Sequence, residues 1–296
     1  MSKIMIIGDI HGRVKNPISR TDDISDVLCD KFRQLKAIAV KEGVTAVIST
    51  GDLLDKARVT NEALLLMSSL ISAMAVPFHV IVGNHDMIGN TMEGYELSSL
   101  NLLARITENL LVLDRPTLVG SAMLHPRHYG DNDYMLDMPK DANCNSNIII
   151  CHAMISNSAT MFDTILAADI ETNADMVICG HNHNKVYYAH DKKIVYNPGA
   201  LLRLTAATED RQRQVEIGIL NTAKELVLKR IELKISDTFV RTEESATAVK
   251  LSDDIVAALN ATFEHIKSTS EIMADVLSQS NYSDDVVEKL KEYISA

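Results

Sequence analysis

At 296 residues, 46% apolar and 23% charged, the chain has the composition of a globular protein with room for one large domain and a smaller one. A net charge of −11 argues against a nucleic-acid coat protein, which needs a basic footprint. It leaves a nuclease open, because bound divalent metals and local Lys/Arg clusters can supply positive charge. Without Trp and with 4% aromatics, a stacking platform for single strands is disfavoured.

In chain order, Lys3–Gly8 reads as a first buried strand rather than a leader: it carries a charge and lacks a small-residue cleavage pattern. Arg13–Asp26 is a polar loop holding Pro17. Asp26–Glu42 has apolar residues at helical spacing, and Gly43 follows as a stop. Val44–Thr50 is a second strand ending in Gly51-Asp52; Thr60–Ala75 is an apolar helix capped by Thr60, with Glu62 in its first turn. Pro77–Val82 is a third strand, and it runs straight into Gly83-Asn84-His85-Asp86. This alternation predicts a parallel α/β sheet with chemistry in the loops at the strands' carboxyl ends.

A helix over Glu96–Glu108 and short strands near Leu110–Leu113 and Thr117–Val119 follow. Ile148–His152 and Ala174–Cys179 are strands leading to His152 and to Gly180-His181-Asn182-His183. Lys185–His190, Lys193–Tyr196, Gln214–Asn221 and Glu225–Leu233 read as strands of a second, more antiparallel sheet packed on the first. From Ser236 the composition turns polar and helical, placing a small cap or arm over 236–296 after a main domain over 1–235. Apolar runs fall short of the ~20 residues that span a bilayer. Cys29, Cys144, Cys151 and Cys179 show no C-x-x-C spacing, which fits a reducing cytoplasm.

Seven residues form a candidate metal set: Asp9, His11, Asp52, Asn84, His152, His181 and His183. Carboxylate, imidazole and one amide oxygen suit borderline divalent ions such as Mn²⁺, Fe²⁺ or Zn²⁺. There are too many donors for a single structural zinc, and enough for two metals sharing a carboxylate. Asp9-x-His11 and His181-x-His183 leave their strands on alternate positions, so each pair can turn towards one metal. In-line attack on a phosphoester is the reaction such a set favours. A lone histidine at a strand end is ordinarily a satisfied polar residue, and His79, His125, His190 and His265 are read that way. His128, beside Arg127, is a candidate for the mouth of the site. Asp55 and Asp86 are read as supports or caps, and Arg13, Lys15, Arg58, Arg127 and Arg203 as phosphate contacts or ordinary solvated charge.

The blocks Gly8-Asp9-Ile10-His11, Gly51-Asp52-Leu53-Leu54-Asp55, Gly83-Asn84-His85-Asp86, Cys151-His152 and Gly180-His181-Asn182-His183 resemble the signature of calcineurin-like metallophosphoesterases. That resemblance implies a four-layer αββα sandwich. It makes Asp9, His11, Asp52 and His183 ligands of one metal, with Asp52 bridging to a second held by Asn84, His152 and His181. It leaves His85 unligated, in contact with the phosphate and donating a proton to the leaving oxygen. GDLLDKA and GNHD depart from the GDxVDRG and GNHE of the protein-phosphatase branch, which also lacks the GHxH pair. Together with Pro198-Gly199-Ala200-Leu201-Leu202-Arg203, GDLLDKARVTNEALLL resembles the SbcD-like nuclease branch.

What the branch implies is a Mn²⁺-dependent DNA exo/endonuclease, with Fe²⁺, Zn²⁺ and Mg²⁺ as other metals. It also implies a homodimer that grips an SbcC-like ATPase through its C-terminal region, acting in DNA repair, recombination or replication. The short cap resembles that of a compact, phage-type version, and the expected location is the cytoplasm, that of a host if the chain is phage-encoded. Rival readings are a phosphodiesterase or phosphatase of small substrates, and a metal-bound scaffold docking a partner through its tail.

Overall fold

The computed structural model describes residues 2–131, 144–159, 164–191, 193–223 and 226–235. The predicted cap or arm over 236–296, and His265 within it, lie outside the described residues.

The elements run β1 (Lys3–Ile7), α1 (Ile24–Glu42), β2 (Ala46–Ser49), α2 (Asn61–Met74), β3 (Phe78–Val80), α3 (Met92–Glu96), α4 (Ser99–Ile106) and β4 (Leu110–Val112). The chain continues through β5 (Thr117–Val119), β6 (Ala122–Arg127), β7 (Ser146–Ala153), β8 (Ile155–Ser156), β9 (Ile165–Leu166) and β10 (Met176–His181). It ends in β11 (Val186–His190), β12 (Lys193–Asn197), α5 (Thr208–Gln212), β13 (Glu216–Asn221) and β14 (Val227–Glu232). Two six-stranded sheets result, ordered β14-β13-β1-β2-β3-β4 and β11-β12-β10-β7-β6-β5.

The helices start and stop where side chains can satisfy their free ends. Asp23 caps α1 by accepting from the N–H groups of Ser25 and Asp26, so the helix begins two residues before the predicted Asp26. Gly43, at φ 69°, ends it in the left-handed conformation glycine adopts without cost. Thr60 caps α2 as expected. The helix predicted over Glu96–Glu108 is observed over Ser99–Ile106, starting later because the Ser98 hydroxyl accepts from the N–H of Asn101 and caps it.

Period-two alternation builds the core. In β1, Met5 and Ile7 face α1 and α2, while Ile4 and Ile6 face the second sheet. In β7 and β10, Ile148, Ile150, Met176 and Ile178 point between the sheets. Ile149, Cys151, Val177 and Cys179 point to the outer face. Strands buried on both faces read as continuous apolar runs, which is why they stood out in the sequence. Truncating a fully buried isoleucine such as Ile6 to alanine typically costs about 2–5 kcal/mol.

Helices cover the first sheet's outer face; over the second, the described residues form the β8–β9 ribbon and a 3-10 turn at Ala167–Asp169. The second sheet is not the antiparallel unit the sequence predicted. Its centre, β6-β7-β10-β12, is parallel, and only β5 and β11 run antiparallel at its edges. β13 and β14 instead return to the first sheet, antiparallel beside β1. The sequence reading also passed over β6, whose Ala-Met-Leu-His-Pro-Arg lacks a strand's composition; β5 pairs only with Ala122–Leu124, and Pro126 lies past that ladder.

Candidate metal centre

The carboxyl ends of the central parallel strands of both sheets meet, and each delivers a polar side chain there. Asp9 and His11 follow β1, Asp52 follows β2, Asn84 and His85 follow β3, His152 sits within β7 near its end, and His181 and His183 lie at the end of β10 and just past it. All eight residues singled out from sequence come together. Asp9, His11, Asp52 and His152 are buried, whereas His85 and His183 are exposed.

Getting there bends the backbone. His11, Asp52 and His181 hold φ values of 51°, 46° and 72°, a left-handed conformation that costs a non-glycine residue of order 1–3 kcal/mol. Two glycines permit the approach. A Cβ on Gly83 would collide with the Asp52 carboxylate, and one on Gly180 would stand 2.6 Å from Asp9 Oδ1.

The donors fall into overlapping groups: Asp9, His11 and His183; His11, Asp52 and His85; Asp52, His152 and His181. His11 Nε2 and His183 Nε2 are 3.0 Å apart, and His183 Nε2 is 3.8 Å from Asp9 Oδ2. Asp52 Oδ2 lies 3.3 Å from His152 Nε2 and 3.9 Å from His11 Nε2, between the two sides. Asn84 Oδ1 is 3.1 Å from His152 Nε2.

The hydrogen bonds assign the ring protons. His152 Nδ1 donates to the Thr50 carbonyl (2.8 Å), so in the neutral ring Nε2 presents a lone pair to Asp52 and Asn84 Oδ1. Once Nε2 has given up its proton, three acceptors converge on one point, which is what a cation resolves. On the other side, His11 Nδ1 is buried without a partner while its Nε2 faces another imidazole. Carboxylate, imidazole and amide oxygen so disposed fit a dinuclear divalent-metal centre.

Electrostatics follow burial and charge. Burial raises Asp9 to about 7, against the lowering influence of His152 and of hydrogen bonds from Thr50 and the His181 N–H. Burial lowers His11 to about 3 and His181 to about 4. Burial would lower His152 too, but the Asp52 charge and hydrogen bond outweigh it and lift the ring to about 9. Burial works against Asp52 as an anion, yet His152 and His11 hold it below the usual carboxylate range.

Three supports complete the site. Asp86, read from sequence as a cap, accepts from the N–H groups of Gly83, Leu53 and Leu54, tying the Asp52 loop to the Asn84 loop. The Asp55 carbonyl is 2.6 Å from His85 Nδ1, and its carboxylate pairs with Arg13. His128 Nδ1 accepts from the Val82 N–H and so braces the loop after β3.

Thr50 and Tyr129 were missed in the sequence. Thr50 serves Asp9 through its hydroxyl and His152 through its carbonyl, and only its place beside Gly51-Asp52 could have pointed to it. Tyr129, anchored by its N–H to the Val82 carbonyl, lays its ring 5.4 Å from that of His181 and 6.1 Å from that of His152. Among the basic candidates, Arg203 is not at the mouth: it is buried and donates to the Arg211 carbonyl. Arg13, Lys15 and Arg58 line, with Lys56, a cleft of about 360 Å³ beside Asp55.

Comparison with known proteins agrees with the geometry. DNA double-strand break repair protein Mre11 of Sulfolobus acidocaldarius is 25% identical over 308 aligned residues, spanning 99% of this chain and 71% of that protein. Mre11 of Saccharolobus solfataricus is 35% identical over 91 residues, 29% of this chain and 23% of its own. A solved dimetal phosphatase from Danio rerio, 12% identical, shares the fold at a TM-score of 0.50, over 81% of this chain and 98% of that one. Among the described residues no helix is long and apolar enough to cross a membrane. The calcineurin-like phosphoesterase profile matches residues 2–185, more than half the chain. The chain belongs to that family of metal-dependent phosphoester hydrolases.

Proposed function

We propose that the chain is a DNA nuclease whose two metals are Mn²⁺, cleaving phosphodiester bonds as the nuclease subunit of a complex with an SbcC-like ATPase. In this reading Asp9, His11, Asp52 and His183 hold one metal, and Asp52, Asn84, His152 and His181 hold the other. The observation that carries it is the place of Asp52: its Oδ2 lies 3.3 Å from His152 on one side and 3.9 Å from His11 on the other, where a bridging carboxylate belongs. Two divalent ions, when bound, supply positive charge against the phosphoryl oxygens and a water of lowered pKa.

The chain's own residues do the rest. His85 N–H holds Asp52 Oδ1 at 2.9 Å, fixing the bridge, and the ring leaves Nε2 free because Nδ1 is engaged by the Asp55 carbonyl. With Nδ1–H given to that carbonyl, Nε2 of the neutral ring presents a lone pair, and it passes a proton to the leaving oxygen from the doubly protonated ring. Phe78, Val80 and Val82, on the strand that leads into this loop, are buried in the core. Likeness to a DNA double-strand break repair protein along nearly the whole chain supports DNA as the substrate; the ATPase partner and a homodimer are part of the proposal on the resemblance to the SbcD-like branch.

A second reading, hydrolysis of small phosphodiesters, is favoured by the net charge of −11 and by the neutralisation of Arg13 by Asp55. Linear duplex DNA incubated with Mn²⁺ or Mg²⁺, with and without the ATPase, separates the two. Release of nucleotides supports the nuclease; turnover of bis(p-nitrophenyl) phosphate with DNA left intact replaces it with the second reading.

A further inference from the structure

We propose that Arg213 is a positioning residue of the metal centre, acting through the turn that follows β12. The inference rests on the reading that Asp9 and His183 hold a metal.

The turn Pro198–Leu202 leans against both ligand segments. The Leu201 N–H donates to the Asp9 carbonyl at 2.7 Å, and the Ala200 N–H donates to the His183 carbonyl at 3.1 Å. Its tightness depends on Gly199, at φ 75°, whose N–H is held by Asn197 Oδ1 at 2.7 Å. One short piece of backbone thus touches the main chains of two residues 174 positions apart (183 − 9), one from each sheet.

The turn's own carbonyls face inward, onto Arg213. Nη1 donates to the Ala200 carbonyl at 2.6 Å and Nη2 to the Leu202 carbonyl at 2.8 Å. Nε and Nη2 donate to Asp210 Oδ1 at 3.2 and 3.0 Å. Asp210 Oδ2 in turn accepts from the Leu204 and Thr205 N–H groups, closing the loop. The Arg213 side chain is 5% exposed, so this guanidinium has been taken out of water to hold backbone. A planar fork with donors on both edges spans two carbonyls and a carboxylate; an ammonium on a lysine stem cannot.

Arg213 directs its described hydrogen bonds to the turn and to Asp210, and its charge also acts on His183, adding to burial in lowering that ring's pKa. Its effect is to set where the Asp9 and His183 backbones stand, and hence the Asp9–His183 side of the centre. Partners of this kind typically change metal affinity 10–100-fold.

The test is Arg213→Lys in the full chain, with Asp210→Asn as a milder companion. Mn²⁺ is titrated by calorimetry and by electron paramagnetic resonance, and the metal-free melting temperature is recorded. The wild type is expected to take two Mn²⁺ and give an exchange-coupled dinuclear spectrum. Arg213→Lys is expected to bind one Mn²⁺ with unchanged affinity and the other 10–100-fold more weakly, leaving an uncoupled six-line signal at two equivalents. Wild-type binding of both ions overturns the inference. So does an equal weakening of both that tracks a fall in the metal-free melting temperature, which would mark a merely structural role. If Arg213→Lys does not fold, Asp210→Asn decides in its place: selective weakening supports the inference and unaltered binding overturns it. A wild type that takes up only one Mn²⁺ removes the dinuclear reading and the inference with it, a failure distinct from the others.

Discussion

His11 and His152 stand on opposite sides of Asp52, both buried, and their protons behave oppositely. His11 is pushed down to about 3 and stays neutral, while His152 is lifted to about 9 and keeps its proton at neutral pH. Desolvation acts on both in the same direction, so burial cannot be what separates them. The difference is contact: His152 Nε2 is 3.3 Å from Asp52 Oδ2 and His11 Nε2 is 3.9 Å away. His152 also has a carbonyl to receive its Nδ1 proton, whereas His11 Nδ1 has no partner. On one side the proton that a cation must displace is that of His152, and on the other, where burial keeps His11 neutral, it is that of Asp9.

The largest expected effect removes the shared point of the comparison. Asp52→Ala is expected to take metal content from two ions to none and to abolish hydrolysis; elemental analysis of the purified variant reads it directly. Retention of a full complement of metal by this variant would show that Asp52 is no bridge.

His85→Ala breaks neither side. It is expected to keep both metals while slowing turnover by about 10²–10⁴-fold, the usual contribution of a positioned proton donor. Loss of metal by this variant would make His85 a ligand, in line with its grouping beside His11 and Asp52.

pH sharpens the asymmetry. A metal needs His152 neutral and Asp9 ionised, so raising the pH favours binding on both sides, but over different ranges. Affinity on the Asp9 side is expected to climb up to about pH 7 and then level off. On the His152 side it should keep rising by about tenfold per unit up to about pH 9, one proton being released per ion bound. Mn²⁺ titrations at pH 6, 7.5 and 9 test this; two sites with parallel pH profiles would erase the distinction.

The smallest effect comes from Thr50→Val, which removes the hydroxyl that donates to Asp9 and keeps the carbonyl that receives His152. Affinity on the Asp9 side is expected to fall about tenfold and the His152 side to stay as it was, as read by the same titrations.

Much of this was legible in the sequence because the ligands sit at the ends of strands buried on both faces, whose apolar runs are conspicuous. Asp9, Asp52, Asn84, His152 and His181 each follow or end such a run. What hydropathy does not encode is the sheet a strand joins. Glu216–Asn221 is buried almost throughout and Val227–Glu232 alternates as an edge strand does; they pair with each other, and nothing local says that Glu216–Asn221 also pairs with β1 rather than with the strands that precede it in sequence. The supports were hidden for a related reason. Thr50 acts partly through its backbone, Tyr129 reaches the site from a segment without a motif, and Arg213 acts through the backbone carbonyls of a turn. Arg203, the last residue of a motif, turned inward instead.

The seam between the sheets has a thermodynamic consequence. Asp9, His11, Asp52 and Asn84 come from one sheet and His152, His181 and His183 from the other, so a cation held among them fastens two layers that also meet through apolar packing, hydrogen bonds and the Lys185–Glu216 ion pair. The unfolded chain scatters these donors over 175 residues (9 to 183) and offers no equivalent site. A ligand that binds only the folded form adds about 2.7 kcal/mol at a hundred times its dissociation constant. Heat resistance therefore becomes a gauge of metal occupancy: the denaturation temperature should rise with added Mn²⁺ and fall with a chelator, with no substrate needed.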